Sequence, residues 1–101
     1  MRIVVLFNLK ADADVAAYEN WAKTTDIPGV NAMGSVDDFS VYRTAGVLGS
    51  DAAAPYQYVE IIDIADMDAF GADVSTEAAQ KVAAEFQQFA DNPIFIMTEA
   101  L

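Results

Sequence analysis

Apolar residues recur along this chain with two periods. Between Pro55 and Ile64 the run Pro-Tyr-Gln-Tyr-Val-Glu-Ile-Ile-Asp-Ile is β-branched and aromatic, and it reads as a strand. Gln57, Val59, Ile61 and Asp63 share one face, and Tyr56, Tyr58, Glu60, Ile62 and Ile64 share the other. Both faces are largely apolar, as in a strand covered on two sides. Arg2 to Leu9 repeats the pattern, with Ile3, Val5, Phe7 and Leu9 opposite Arg2, Val4, Leu6 and Asn8. Ile94 to Thr98 is a third such strand. Val30 to Thr44 reads as extended chain, with Asp37-Asp38 predicting a bulge or a tight turn.

Helical spacing governs the segments between. Asp12 or Asp14 can cap a helix to about Thr25, with Val15, Tyr18, Trp21, Ala22 and Thr25 facing the sheet. Glu19 and Lys23 form an i,i+4 pair on its wet side, and Pro28-Gly29 are expected to end the segment. Asp66 can cap a short turn, Met67 to Ala72. Ser75 or Thr76 can cap a helix to about Ala90, striped by Ala79, Val82, Ala83, Phe86, Phe89 and Ala90 and stopped by Asp91-Asn92-Pro93. Gly46 to Pro55 is a loop of small residues.

The order β-α-β-β-α-β predicts a ferredoxin-like α+β fold. The expected sheet is four-stranded and antiparallel, with the first and third strands in the middle and the helices on one face. The other face, to which Val4, Leu6, Tyr58 and Ile62 are assigned, then needs a cover. A second copy packed face to face would supply one.

Composition narrows the function. The 101 residues make one domain. The 54% hydrophobic content hints at an additional buried surface such as a dimer interface. A formal charge of −11 argues against nucleic acid and against anionic membrane surfaces. No cysteine and no histidine are present, which removes thiolate nucleophiles, disulfides, and the commonest general base and transition-metal ligand. The N-terminal apolar run is interrupted too soon by Asn8 and Lys10 for a signal peptide, and no run approaches a membrane span, so a cytoplasmic location is expected.

Several stretches carry a family resemblance. The element order, Met67-Asp68-Ala69-Phe70-Gly71 and Phe86-Gln87-Gln88-Phe89-Ala90-Asp91-Asn92-Pro93 resemble the dimeric α+β barrel superfamily. That superfamily includes cofactor-free monooxygenases, muconolactone isomerases, EthD-like and stress-responsive proteins. Arg2-Ile3-Val4-Val5-Leu6-Phe7-Asn8-Leu9, Tyr18-Glu19-Asn20-Trp21-Ala22, Val41-Tyr42-Arg43 and Tyr56-Gln57-Tyr58-Val59-Glu60-Ile61 are most similar to the small RedY/HapK-like proteins. The resemblance covers nearly the whole chain. It implies a homodimer and a tailoring or auxiliary role in the biosynthesis of pyrrole and indole pigments. Histidine is a catalytic residue in several branches of the superfamily, and this chain has none.

Glu60 is the anomaly of the central strand. A buried acid there must lie in a wet cavity, pair with a cation or keep its proton. If Val59 and Ile61 meet the helices, Glu60 points with Tyr58 and Ile62 into the barrel, as a candidate general acid or base. The alternative is a structural ion pair or hydrogen bond, with Arg43 on the neighbouring strand as a candidate partner. Arg43 can otherwise bind a ligand carboxylate or enolate, or form a rim salt bridge. Tyr42 and Tyr58 are candidate ligand contacts; Tyr42 alternatively serves as a core aromatic. An early-strand Asn and a helix Trp help hold substrate in cofactor-free monooxygenases of the superfamily, and Asn8 and Trp21 resemble that pair. Their alternatives are strand-end chemistry for Asn8 and core packing for Trp21. No metal spacing, phosphate loop or dinucleotide fingerprint is present, so neither metal nor cofactor is expected. The expected function is binding of a small aromatic, polyketide- or pyrrole-like metabolite, with cofactor-free acid/base chemistry at Glu60 and Arg43. The alternatives are a non-catalytic binding or auxiliary protein and a stress-type dimer filled by side chains.

Overall fold

The computed structural model describes residues 1–101. It contains β1 (Arg2–Leu9), α1 (Val15–Trp21), a π-helical turn (Ala22–Asp26), α2 (Ile27–Asn31), β2 (Val36–Arg43), β3 (Tyr58–Ile64), α3 (Met67–Asp73), α4 (Glu77–Phe89) and β4 (Ala90–Thr98). The four strands form one antiparallel sheet in the order β2-β3-β1-β4, with β1 and β3 central as expected, while β4, apolar on both faces too, is an edge strand. The expected bulge is present: the β2–β3 register shifts between Val36 and Asp38. No helix is long and apolar enough to cross a membrane.

Caps explain the helix starts. Asp14 accepts from the Ala17 N–H, Asp66 from Asp68 and Ala69, and Thr76 from Ala79. The first helix does not stop at Pro28-Gly29. It runs on through the π turn into α2, where Pro28 occupies the first turn.

One face assignment is corrected. Register pairs Ile3 with Ile62, Val5 with Glu60 and Phe7 with Tyr58, so these residues share a face. That face is the covered one. Val5, Phe7, Tyr58, Ile62 and Ile64 are buried in the core with Tyr18, Trp21 and Phe86. Tyr58 and Ile62 therefore lie under the helices, and Val59 and Ile61 lie on the other side with Val4 and Leu6. A sequence apolar on both faces does not say which face receives the helices; the ring cluster decides it. Phe7 stacks on Tyr58 at 5.4 Å and meets Tyr18 and Phe86 edge-on at 5.8 and 5.0 Å. The uncovered face also carries Tyr42, Ile94 and Ile96, all exposed.

Candidate functional site

A cavity of about 420 Å³ lies between the sheet and the helices, within the range of small-molecule sites. Its walls are mostly apolar: Ile62 and Phe39 from the sheet, Phe70 from α3, Val82 and Phe86 from α4, and Val30 and Met33 around α2. Three carboxyl groups line it, Glu60, Asp26 and Asp73, and Asp73 accepts from the Ser35 hydroxyl and N–H.

Glu60 comes from the middle of β3 and is 4% exposed. Its Oε2 atom is buried with no hydrogen-bond partner, which is rare for a buried polar atom. Burial, and second the charge of Asp26, push its pKa up to about 8. At neutral pH it is mainly a neutral carboxylic acid, able to donate a proton.

Asp26 is 5% exposed, and burial alone pushes its pKa up to about 7. The α-helical spacing from Tyr18 and Trp21 predicts Thr25 at this inner position. The π turn overturns that expectation. Its Ile27 N–H reaches the Ala22 carbonyl, five residues back, so the turn holds one residue more than an α turn. Everything beyond Trp21 slips by about one position, and Asp26 takes the inward place while Thr25 moves to the flank. No feature of the sequence marks that slip, and Asp26 was not among the expected site residues.

The other expected site residues lie outside this cavity. Arg43 does not pair with Glu60. Its guanidinium forks onto Glu19 of α1, Nη2 to Oε1 at 2.6 Å and Nε to Oε2 at 2.9 Å. The reason is register: Val41 sits opposite Glu60, and Arg43 sits opposite Tyr58, two residues farther along the same face. The Tyr58 hydroxyl donates to the same Glu19 at 2.7 Å. Glu19 therefore serves β2 and β3 rather than standing on a wet face with Lys23, and these donors hold its pKa down at about 2. Tyr58, Arg43, Tyr18 and Lys23 border a separate cleft of about 100 Å³.

Trp21 is a core residue whose Nε1–H donates to Glu85 at 3.2 Å. Tyr42 is exposed on the uncovered face. The Asn8 Oδ1 atom accepts the Gln57 N–H at 3.0 Å, and the Gln57 side chain accepts the Leu9 N–H at 2.6 Å. Asn8 thus fastens the end of β1 to the approach to β3. Of the six expected residues, only Glu60 faces the main cavity.

Chemically, the cavity can enclose an apolar molecule and offer it an acid. No Lys or Arg lines it to neutralise a ligand anion.

Comparison with solved structures agrees with this architecture. HapK from Hahella chejuensis is 28% identical, with 100% of this chain and 95% of that one covered and a TM-score of 0.74. SnoaB from Streptomyces nogalater, a cofactor-independent oxygenase, is 14% identical over 99% of this chain and 93% of that one, at a TM-score of 0.72. A dimeric ferredoxin-like protein of unknown function from Thermobifida fusca is 17% identical over 94% of this chain and 85% of its own, at 0.68. No curated protein matches the chain. The sequence model of the family described as REDY-like protein HapK matches residues 1–101. By that match over its whole length, the chain belongs to the family of the REDY-like protein HapK.

Proposed function

We propose that this protein is a homodimer that takes a small aromatic, polyketide- or pyrrole-like metabolite into the cavity beneath its helices. It acts on that metabolite by cofactor-free acid–base chemistry at Glu60. The observation that carries the reading is the unpartnered Glu60 oxygen at the wall of an apolar cavity. A buried carboxyl without a partner is costly to fold around, and a ligand group that hydrogen-bonds to it recovers that cost. Arg43, Trp21, Asn8 and Tyr58 act from outside the cavity, by holding the elements that frame it, and Tyr42 lies on the face the second copy covers. The second copy covers the face bearing Val4, Leu6, Val59, Ile61, Ile94 and Ile96. The dimeric description of the Thermobifida fusca relative supports this arrangement.

The test is calorimetric titration of the purified protein with 2-naphthol, a bipyrrole and an anthraquinone, followed by chromatography of the mixtures. Saturable binding by at least one, abolished by Ala79→Phe in the cavity wall, supports the reading. Glu60→Gln should keep binding and lose conversion. Absence of saturable binding by all three, or conversion unchanged in the Gln variant, overturns it. A non-catalytic auxiliary role is favoured by the structural engagement of Arg43 with Glu19, which leaves no cation at the cavity. It predicts binding without conversion by the wild type.

A further inference from the structure

We propose that Asp26, turned inward by the π turn, is a second acid–base group of the cavity and holds a single proton jointly with Glu60 at neutral pH. The inference rests on the cavity being the site proposed above, and it adds a residue that neither the strand pattern nor the helix pattern marks. Four observations carry it. Both carboxyls open on one cavity. Both are at least 95% buried. Glu60 Oε2 has no partner inside the protein. The backbone departs from α-helical geometry at the turn that places Asp26 inward. π turns inside helices are frequent at functional sites.

No cation balances the pair. Tyr18 of α1 and Asp73 of α3 are the other titratable groups facing it, and Asp73 is engaged by the Ser35 hydroxyl at 2.6 Å. β1 presents Val5, β2 presents Phe39 and Val41, and α4 presents Val82 and Phe86. Two carboxyls in an apolar enclosure do not both ionise readily, because the first charge opposes the second. The charge of Asp26 accordingly works against ionisation of Glu60. One neutral acid and one carboxylate on the walls of one cavity supply an acid and a base to the same site. The carboxylate can take a proton from one atom of a bound molecule while the acid returns one to another. The pair ends with the proton count it began with, so the class of step is a proton shift that needs no cofactor.

The experiment is a carbon-13 NMR titration of the side-chain carboxyls in wild type, Asp26→Asn and Glu60→Gln, with 2-naphthol binding measured on each. In the wild type Glu60 should remain protonated through neutral pH. Asp26→Asn should lower its midpoint by about one unit, a tenfold change in proton affinity. Asp26, which ionises first against a still-neutral Glu60, should keep its midpoint in Glu60→Gln. A Glu60 midpoint unchanged by removal of Asp26 overturns the pair. If the Asn variant does not fold, Asp26→Ser replaces it. In the wild type alone, Asp26 and Glu60 ionising together in one step would equally overturn it. The two readings fail separately. Naphthol bound without coupling sinks only the pair, and coupling with none of the three compounds bound sinks only the ligand site.

Discussion

The Tyr58 hydroxyl donates a 2.7 Å hydrogen bond to Oε2 of Glu19, and the same oxygen accepts Nε of Arg43 at 2.9 Å. One carboxylate on the first helix thereby ties together two neighbouring strands of the sheet. Charge-assisted bonds of this kind are worth more than neutral ones. Replacing Glu19 by Ala should destabilise the protein by roughly 1–2 kcal/mol, because it also strands the hydroxyl of buried Tyr58. Arg43→Ala should cost less, because the guanidinium is largely exposed and its field is screened. Urea unfolding of the two variants checks the order; a larger loss from Arg43→Ala contradicts it.

Stability should peak in mildly acid solution. Asp26 and Glu60 have pKa values raised from 3.8 and 4.5 to about 7 and about 8, so the fold prefers their protonated forms. That preference is complete below about pH 4 and is lost as pH rises through 7 and 8. Glu19 works oppositely: its pKa falls from 4.5 to about 2, so its stabilisation is present above 4.5 and is lost as pH falls toward 2. The melting temperature should therefore be highest near pH 4 to 5 and fall by pH 8.5. Glu60→Gln should flatten the alkaline limb, and a melting temperature that climbs from pH 6 to 8.5 would refute this assignment.

Phe86 closes the aromatic cluster from α4, with ring centroids 5.0 Å from Phe7 and 6.4 Å from Trp21. It is 8% exposed and also borders the cavity. Phe86→Ala should cost about 3 kcal/mol, the lower end of the usual range, because one side of the ring already faces open space. Chemical denaturation measures the loss, and a cost under 1 kcal/mol would mean the helix relaxes onto the sheet.

The uncovered sheet face offers a direct assay of the proposed homodimer. Val4 pairs with Ile96 and Leu6 with Ile94, which places four apolar side chains in one patch. Leu6→Lys should shift sedimentation from a dimer toward a monomer, since an unpaired ammonium buried in an apolar interface costs several kcal/mol. A wild-type protein that sediments as a monomer at micromolar concentration removes the proposed cover.

Deleting Thr24 should be tolerated. It is an exposed residue of the π turn, and its removal restores α-helical phase from Val15 to Asp26, with Asp26 still inward and Pro28 still interrupting the ladder beyond it. Circular dichroism and a melting temperature within a few degrees of wild type are expected. A collapse of the fold would show that the π turn is required for more than phase.

Much of the architecture was legible because period is a local property. Ile3, Val5, Phe7 and Leu9 alternate, Val82, Phe86 and Phe89 recur by helical turns, and Asp14, Asp66 and Thr76 are caps whose side chains act on the next few residues. Glu60 stood out for the same reason, as a charge interrupting an apolar strand. What only the tertiary structure decided depends on phase between distant elements. Whether Tyr58 and Glu60 face helices or open sheet turns on how Phe7 and Phe86 pack; whether Arg43 meets Glu19 or Glu60 turns on a two-residue offset in register. Asp26 faces inward because one helical turn takes an additional residue. A periodic pattern specifies spacing but leaves its zero point free, and packing against the rest of the chain sets that zero.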